Sequence, residues 1–207
     1  MPHERFEKGA QNWDEKPGQI MMAKNIASAI CKVVPISPEW EALDYGCGTG
    51  LVTLSIEPGV RRIIGMDSSP AMLGKLKEKI KELGLDNVDT VLADLEKEEA
   101  PKIQVDLITS SMALHHIADI PSLLTKLHSM LRPGGYLALA DLDTEDGTFH
   151  ADNSGVQHFG LDREWLKAEM AKVGFKDCGD ATAHVAERDT PNGRKSFPVF
   201  VVWGRRE

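Results

Sequence analysis

Leu43-Asp44-Tyr45-Gly46-Cys47-Gly48-Thr49-Gly50 is the stretch that decides the fold. Glu41 to Tyr45 reads as a first strand and Thr49 to Ile56 as a short helix, stopped by Pro58-Gly59. Three glycines alternate between them. A glycine turns the chain tightly and lets a ligand lie against the backbone without a Cβ in the way. In open α/β sheets, ligands bind at the carboxyl ends of strands, where this loop falls. The loop is not a dinucleotide fingerprint. G-x-G-x-x-G sets a pyrophosphate on a helix N-terminus, whereas here the third glycine comes one residue early.

Outward from the loop, apolar strand-like runs alternate with amphipathic helical runs, which is the signature of βαβ units and a parallel sheet. Upstream, Ile20, Met21, Ala23, Ile26, Ala27, Ile30 and Val33 place one apolar face on a helix over Pro17 to Val34, ended by Pro35 and Pro38. Downstream, strands are expected over Arg61–Met66, Val88–Leu92, Val105–Ser110 and Tyr136–Leu142. Helices start at Ser69-Pro70, with serine as cap and proline in the first turn, at Ile120, and after Asp162. Gly84 and Pro133-Gly134-Gly135 mark stops. The polar stretch Asp143 to Gly160 is long for a structureless loop, which points to a functional or mobile segment. Two directly linked strand-like runs, Lys176–Glu187 and Phe197–Gly204, fit an antiparallel hairpin at the sheet edge. The expected architecture is a single α/β domain: a doubly wound, seven-stranded, mostly parallel sheet with an antiparallel C-terminal hairpin. Residues 1–38 form an N-terminal helical segment over the ligand cleft, and residues 39–207 form the body.

Acids recur at strand ends. Asp44 precedes the glycine loop, Asp67 ends the second strand 23 positions later, and Asp94 ends the third. An acid beside the loop repels a pyrophosphate and attracts an ammonium group, so electrostatics favour a phosphate-free zwitterion such as S-adenosylmethionine. Asp67 stands near the spacing at which an acid accepts ribose hydroxyls. Asp94 could accept a proton from an adenine amino group.

These pieces, in their order, resemble class I (Rossmann-like) S-adenosylmethionine-dependent methyltransferases, in particular the small methyltransferase-domain (type 11/12-like) family. The matching segments are Leu43 to Gly50, Gly65-Met66-Asp67-Ser68-Ser69-Pro70-Ala71-Met72, Ala93-Asp94-Leu95, Asp106 to His116, and Leu131-Arg132-Pro133-Gly134-Gly135. The resemblance implies S-adenosylmethionine as cofactor and S-adenosylhomocysteine as product. Asp44, Gly46, Cys47, Gly48 and Gly50 would face the methionine moiety. Asp67, with Ser68 and Met72, would border the adenosine. Asp94 and Leu95 would contact the adenine, and Ser110 and Ser111 would lie near the sulfonium. The family places an N-terminal segment over the cofactor, here Phe6 to Pro17 with Trp13-Asp14.

Methyl transfer from a sulfonium needs alignment and exclusion of water more than acid–base help, since the electrophile arrives activated; orientation alone contributes on the order of 7–11 kcal/mol. A base matters when the acceptor arrives protonated, and histidine suits that task. His150 and His158, in the polar stretch, and His116 are the catalytic candidates. His115, Phe149 and Phe159 join Trp13 as substrate-side or lid candidates, Trp165 could add an apolar wall nearby, and Asp141 and Asp143 are second-tier bases. No Cys/His spacing resembles a zinc site, and the acidic Mg²⁺ cluster of catechol-type enzymes on this fold is not evident, so no metal is expected.

Composition narrows the partners. A net charge of −8, with a pI near 5.4, lacks the clustered lysine and arginine of a nucleic-acid footprint. Lys75 to Lys81 is interleaved with Glu78 and apolar residues, as on a solvated helix face. Three scattered cysteines, Cys31, Cys47 and Cys178, fit a reducing compartment. With no secretory signal and no apolar run of membrane-spanning length, the expectation is a soluble cytoplasmic enzyme methylating an unidentified small molecule, without nucleic acid or membrane. The alternative is a non-catalytic cofactor- or partner-binding module on the same fold.

Overall fold

The computed structural model describes residues 10–15, 17–191 and 193–207. Its seven strands are β1 (Glu41–Tyr45), β2 (Arg62–Asp67), β3 (Val88–Leu92), β4 (Val105–Ser111), β5 (Leu131–Leu142), β6 (Phe175–Thr190) and β7 (Gly193–Arg206). The α-helices are α1 (Pro17–Val33), α2 (Thr53–Ile56), α3 (Pro70–Leu83), α4 (Ile120–Met130) and α5 (Arg163–Val173). The strands form one sheet in the order β3-β2-β1-β4-β5-β7-β6. Strands β1 to β5 run parallel, and β7 runs antiparallel to both β5 and β6. The chain moves one way from β1 through β2 to β3 and then returns to place β4 on the other side of β1. Strand order therefore reverses at β1, and the crevice at a reversal opens at the strands' carboxyl ends. That is where the glycine loop leaves β1.

Alternation along the central strands divides the core. Leu43, Ile108, Leu137, Leu139 and Phe200 face α4 and α5, which contribute Leu124, Leu127, Leu166 and Met170. Ala42, Leu107, Ala138, Ala140 and Val201 face the opposite side, where α1 packs Ile26, Ala27 and Ile30. Both faces are covered, so the strands read as nearly continuous apolar runs, as buried parallel strands must. Helix α3 adds a third cluster: Leu73 and Leu76 pack against Cys47, beneath the glycine loop.

Most local signals hold. The Ser69 hydroxyl accepts from the Met72 amide at 3.2 Å, Gly84 ends α3 with φ +64°, and the Asp162 side chain caps α5 by accepting from the Trp165 amide at 2.7 Å. Several boundaries differ, with β6 and β7 running longer than expected, and two of the differences bear on the site and its sheet. Helix α2 spans four residues rather than eight, because Gly50, at φ +83°, holds the chain in a turn before Thr53. Pro133-Gly134-Gly135, read as a stop before the fifth strand, lies inside β5: the ladder opens at an irregularity between Val105 and Leu107, and Gly134 takes φ +85°. No helix among the described residues is long and apolar enough to cross a membrane.

Gly50 is where loop and helix meet most closely. A Cβ there would stand 2.4 Å from Leu76 Cδ1, on backbone that side chains avoid. Gly50→Ala is expected to destabilise the fold by about 1–3 kcal/mol. Urea unfolding checks this, and an unchanged midpoint would mean that α3 shifts freely.

Candidate functional site

A cavity of about 260 Å³ opens over the carboxyl ends of β1, β2 and β4. The glycine loop forms one wall. The Gly46 and Cys47 amides donate to the Met66 carbonyl at 2.8 and 3.1 Å, which folds the loop back over β2. Gly46 takes φ +66° and Gly48 φ +54°. A Cβ on Gly46 would stand 2.7 Å from Ala113 Cβ, so only glycine fits there. Next to Gly48, by contrast, a Cβ would find Met72 Sδ no nearer than 4.0 Å, so that side of the loop is open.

Three acids, Asp44, Asp67 and Glu96, line the cavity, and its described lining contains no lysine or arginine. Asp44 is 1% exposed. Its carboxylate accepts from the Thr53 hydroxyl at 2.6 Å and the Thr109 hydroxyl at 2.9 Å. Burial pushes its pKa up to about 6, against the lowering effect of those hydrogen bonds, and the nearby charge of Asp67 adds to the rise. Asp67 bridges two segments, accepting from the Gly48 amide at 2.8 Å and the Ser69 amide at 2.9 Å. Burial, with the charges of Asp44 and Asp67, also holds the Cys47 thiol well above its ordinary pKa, so it is a neutral wall and not a nucleophile.

The N-terminal segment reaches this wall. Trp13, on a 3₁₀ turn over Ala10–Glu15, lines the cavity with Gln19 and Met22 of α1. Beside it the Asp14 carboxylate accepts from the Thr49 hydroxyl at 2.6 Å and pairs with Lys79, whose ammonium donates to the Thr49 carbonyl at 2.8 Å. The turn is thereby tied to both the glycine loop and α3. Phe6 lies outside the described residues.

Across the cavity, the chain leaves β4 through Ser111, Met112 and Ala113 into a 3₁₀ turn at Leu114–His116. Met112 takes φ +55°, an uncommon conformation for a residue with a side chain, beside the cavity. The 143–160 segment is stitched to this turn. The Gln157 and His158 amides donate to the His115 carbonyl at 2.9 and 3.1 Å, His116 Nδ1 donates to the Gly155 carbonyl at 2.9 Å, and His158 Nε2 donates to the Ile117 carbonyl at 2.9 Å. His115, 1% exposed, places Nδ1 2.7 Å from Asp141 Oδ1 and Nε2 3.2 Å from His150 Nε2. Burial opposes ionisation of Asp141, but the imidazole of His115 and the amides of Leu142 and His115 outweigh it and bring its pKa below the usual carboxylate value.

The expected residues thus divide. Asp44, Gly46, Cys47, Gly48, Asp67, Ser68, Met72, Ser111, Trp13 and His116 line the cavity together. Asp94 and Leu95 do not: the Asp94 carboxylate is taken by Lys97 at 2.7 Å, and Leu95 points into the core. Ala93 and Glu96 line the cavity in their place. Ser110 is buried in β4 behind Ser111, Gly50 is spent on the contact with Leu76, and Phe149 packs edge-on against Phe197 in the core. Phe159 is largely exposed, with Gly147 beneath its ring, and Trp165 also stands at the surface. Asp143 is clamped by Arg163 at 2.6 and 2.5 Å. Sequence reasoning placed Asp14 in the covering segment without its contact to Thr49, and it missed Glu96, Met112 and Gln157. Glu96 was in reach of a strand-end reading shifted by two residues, but the others had no local signal.

The comparisons with known proteins agree with this geometry. Residues 42–135 match the family model described as a methyltransferase domain. An uncharacterized methyltransferase of Schizosaccharomyces pombe is 34% identical over 132 residues, covering 57% of this chain and 46% of that one. A demethylmenaquinone methyltransferase of Listeria monocytogenes is 27% identical over 144 residues, covering 67% and 61%. The chain spans about half the length of the first curated relatives it matches. Among solved structures, a SAM-dependent methyltransferase from Aquifex aeolicus superposes with a TM-score of 0.71 at 18% identity, covering 97% of this chain and 98% of that one. DhpI in complex with SAH gives 0.73 at 19%, covering 96% and 93%.

Asp44 predicts a pH effect. Its folded pKa lies above its ordinary value of 3.8, so the folded state holds this proton more tightly than the unfolded chain does. The contribution to stability falls as pH rises from about 4 to about 6, and above that the charged group costs up to about 3 kcal/mol. Asp44→Asn is therefore expected to raise the unfolding midpoint of the ligand-free protein at pH 7 but not at pH 4. Chemical denaturation at the two pH values checks it, and an equal effect at both would refute it.

Proposed function

We propose that this chain, whose residues 42–135 match the methyltransferase-domain model and whose fold is that of a SAM-dependent methyltransferase, transfers a methyl group from S-adenosylmethionine to a small-molecule acceptor. One observation carries the reading: Asp44, Asp67 and Glu96 face a cavity whose described lining holds no lysine or arginine. Opposite charges a few ångströms apart in a partly dry site attract strongly, and like charges repel as strongly. Such a lining suits a ligand bearing an ammonium and a sulfonium and disfavours a pyrophosphate. The open side of Gly48 gives that ligand backbone to lie against.

When bound, S-adenosylmethionine supplies a methyl carbon already activated by positive sulfur. The chain's part is to bind, orient and keep water out. Asp44, its carboxylate fixed by Thr53 and Thr109, is assigned to the ammonium. Asp67 is assigned to the ribose hydroxyls, because accepting two backbone amides holds its carboxylate still at the end of β2. Ala93 and Glu96, with Met72, are assigned to the adenosine in preference to Asp94, which Lys97 engages. Trp13, tied down through Asp14, covers the cleft, and the described part of residues 1–38 serves as its lid over the body formed by residues 39–207. Orientation of this kind contributes on the order of 7–11 kcal/mol to a displacement.

The acceptor is assigned to the side of Met112, Ala113 and Gln157, where His116 is the histidine of the lining. Because a carbonyl can only accept, His116 Nδ1 carries a hydrogen for Gly155, and its basic nitrogen is Nε2. A protonated acceptor would lose its hydrogen to this cluster, with His150 held behind it by His115. His158, whose Nε2 donates to the Ile117 carbonyl, is assigned to fastening the segment.

Asp67→Ala is expected to weaken S-adenosylmethionine binding roughly 100-fold, the loss of about two charge-assisted hydrogen bonds. Calorimetry measures it, and unchanged affinity removes Asp67 from the site. Affinity is also expected to fall as pH drops below about 6, where Asp44 takes up a proton. Formation of S-adenosylhomocysteine across a panel of phenols, hydroquinones, amines and thiols tests turnover. A protein that ignores S-adenosylmethionine but binds NAD would overturn the whole reading.

A further inference from the structure

We propose that His115, His116 and His150 hold one divalent late-transition ion of the zinc class at the acceptor edge of the cavity. One ring nitrogen from each histidine lies within 4.8 Å of the other two. One pair, His115 Nε2 and His150 Nε2, is 3.2 Å apart. Two imidazoles on a tetrahedral ion with bonds of about 2.0–2.1 Å stand about 3.3 Å apart, which this pair matches. The other two pairs, at no more than 4.8 Å, reach that spacing by movements of under about 1 Å in each ring. Imidazole suits zinc, copper, nickel and iron, and three histidines leave the fourth position of a tetrahedral ion for water or for an acceptor's oxygen or sulfur.

The surroundings give the more telling argument. A histidine that ligates a metal usually donates its other ring hydrogen to a carboxylate or a carbonyl, which fixes the tautomer and raises the basicity of the ligating nitrogen. Both halves of that pattern are built here. His115 Nδ1 meets Asp141 Oδ1 at 2.7 Å, and His116 Nδ1 donates to the Gly155 carbonyl at 2.9 Å. Asp141 is fully buried and is held further by the amides of Leu142 and His115. In each ring the hydrogen is thus directed away from the cluster, and Nε2 is the basic nitrogen. The edge of the Phe149 ring, 4.8 Å from that of His150 between centroids, steadies the third ligand, and Arg188 lies over Phe149. His116 and His150 are only half-buried, so an ion can reach the site. The sequence concealed it because two ligands are adjacent and the third comes 34 positions later, a spacing outside the usual zinc patterns.

The site deepens the acceptor-side assignment, and its place in the reaction rests on the methyltransferase reading; metal binding itself does not. With an ion bound, the three imidazoles act as ligands instead of bases. The test uses the full chain after chelator treatment and gel filtration, with Zn²⁺ followed by calorimetry and bound metal counted by mass spectrometry. Co²⁺ serves as a spectroscopic probe, whose visible bands report tetrahedral nitrogen ligation. The expected result is one ion per chain. Asp141→Asn should weaken binding about 10–100-fold, as outer partners of a ligand do, and His150→Gln more than that. His184→Gln, a histidine outside the cluster, should change nothing. Absence of saturable binding, or equal affinity in His150→Gln and the unaltered chain, overturns the proposal. S-adenosylmethionine titrated into the same chelator-treated protein separates the two readings: cofactor binding without metal binding sinks the metal site alone, and the reverse sinks the methyltransferase reading alone.

Discussion

A carboxylate buried at the end of β1 among neutral partners is the constraint around which this molecule is arranged. Asp44 sits where strand order reverses, at the one place in the sheet where the helices on either face part and leave a crevice. Its side-chain donors are hydroxyls, from Thr53 on α2 and Thr109 on β4. Hydroxyls satisfy its lone pairs without cancelling its charge. The short α2, the turn that delivers Thr53, and the register that sets Thr109 opposite Asp44 all follow from holding this group in place. The glycine loop has the complementary task. It must leave β1 without placing a side chain over the acid, and its positive φ angles and its return to the Met66 carbonyl do that.

The other side of the cavity is built on a different principle. Nothing regular spans residues 143 to 160 except an isolated bridge from Asp143 to Leu161 at its end. Its order comes from backbone carbonyls of the His115–Ile117 turn and from side chains that reach them. The histidines of this region thus have two kinds of work. His158 fastens backbone to backbone, while His115, His116 and His150 bring their rings together. Arg163 secures the start of the segment by gripping Asp143, and it also reaches Asp180 and Thr182 on β6.

Legibility in the sequence tracks this division. The sheet, its helices and the loop wall were readable because each rests on local chemistry: alternation in β1, the Ser69-Pro70 start, the Gly84 stop, glycines where φ must be positive. Asp44 and Asp67 were readable because strand ends are. The reading slipped where a side-chain contact outside capping and periodicity decides the outcome. Asp94 has the right position along the chain, yet Lys97, three residues on, engages its carboxylate, and the cavity receives Glu96 instead. Gly134 was taken for a stop, although a strand can absorb it where the neighbouring ladder is irregular. Asp14 meets Thr49 across 35 residues, and His150 meets His115 across the same interval. No periodicity or capping rule encodes such meetings. They follow from how the closed sheet positions its connections.

The two fully buried aspartates make the contrast between the walls quantitative in sign. Asp44 on β1 and Asp141 on β5 stand near the same edge of the sheet with β4 between them, and both have lost their water. Burial raises the first to about 6, because the Thr53 and Thr109 hydroxyls and the Thr53 amide that face it are all neutral and another acid lies nearby. The second falls below the ordinary carboxylate value, because an imidazole and two amides face it. Asp141 is therefore completed within the fold, and it spends its charge orienting His115. Asp44 faces the cavity without a cationic partner among the described lining, and the cost of its charge is relieved by a proton below about pH 6 or would be by a cationic ligand. A cationic ligand bound there gains affinity from relieving a state that folding alone leaves unfavourable. A neutral or anionic ligand of the same shape would gain nothing from that charge.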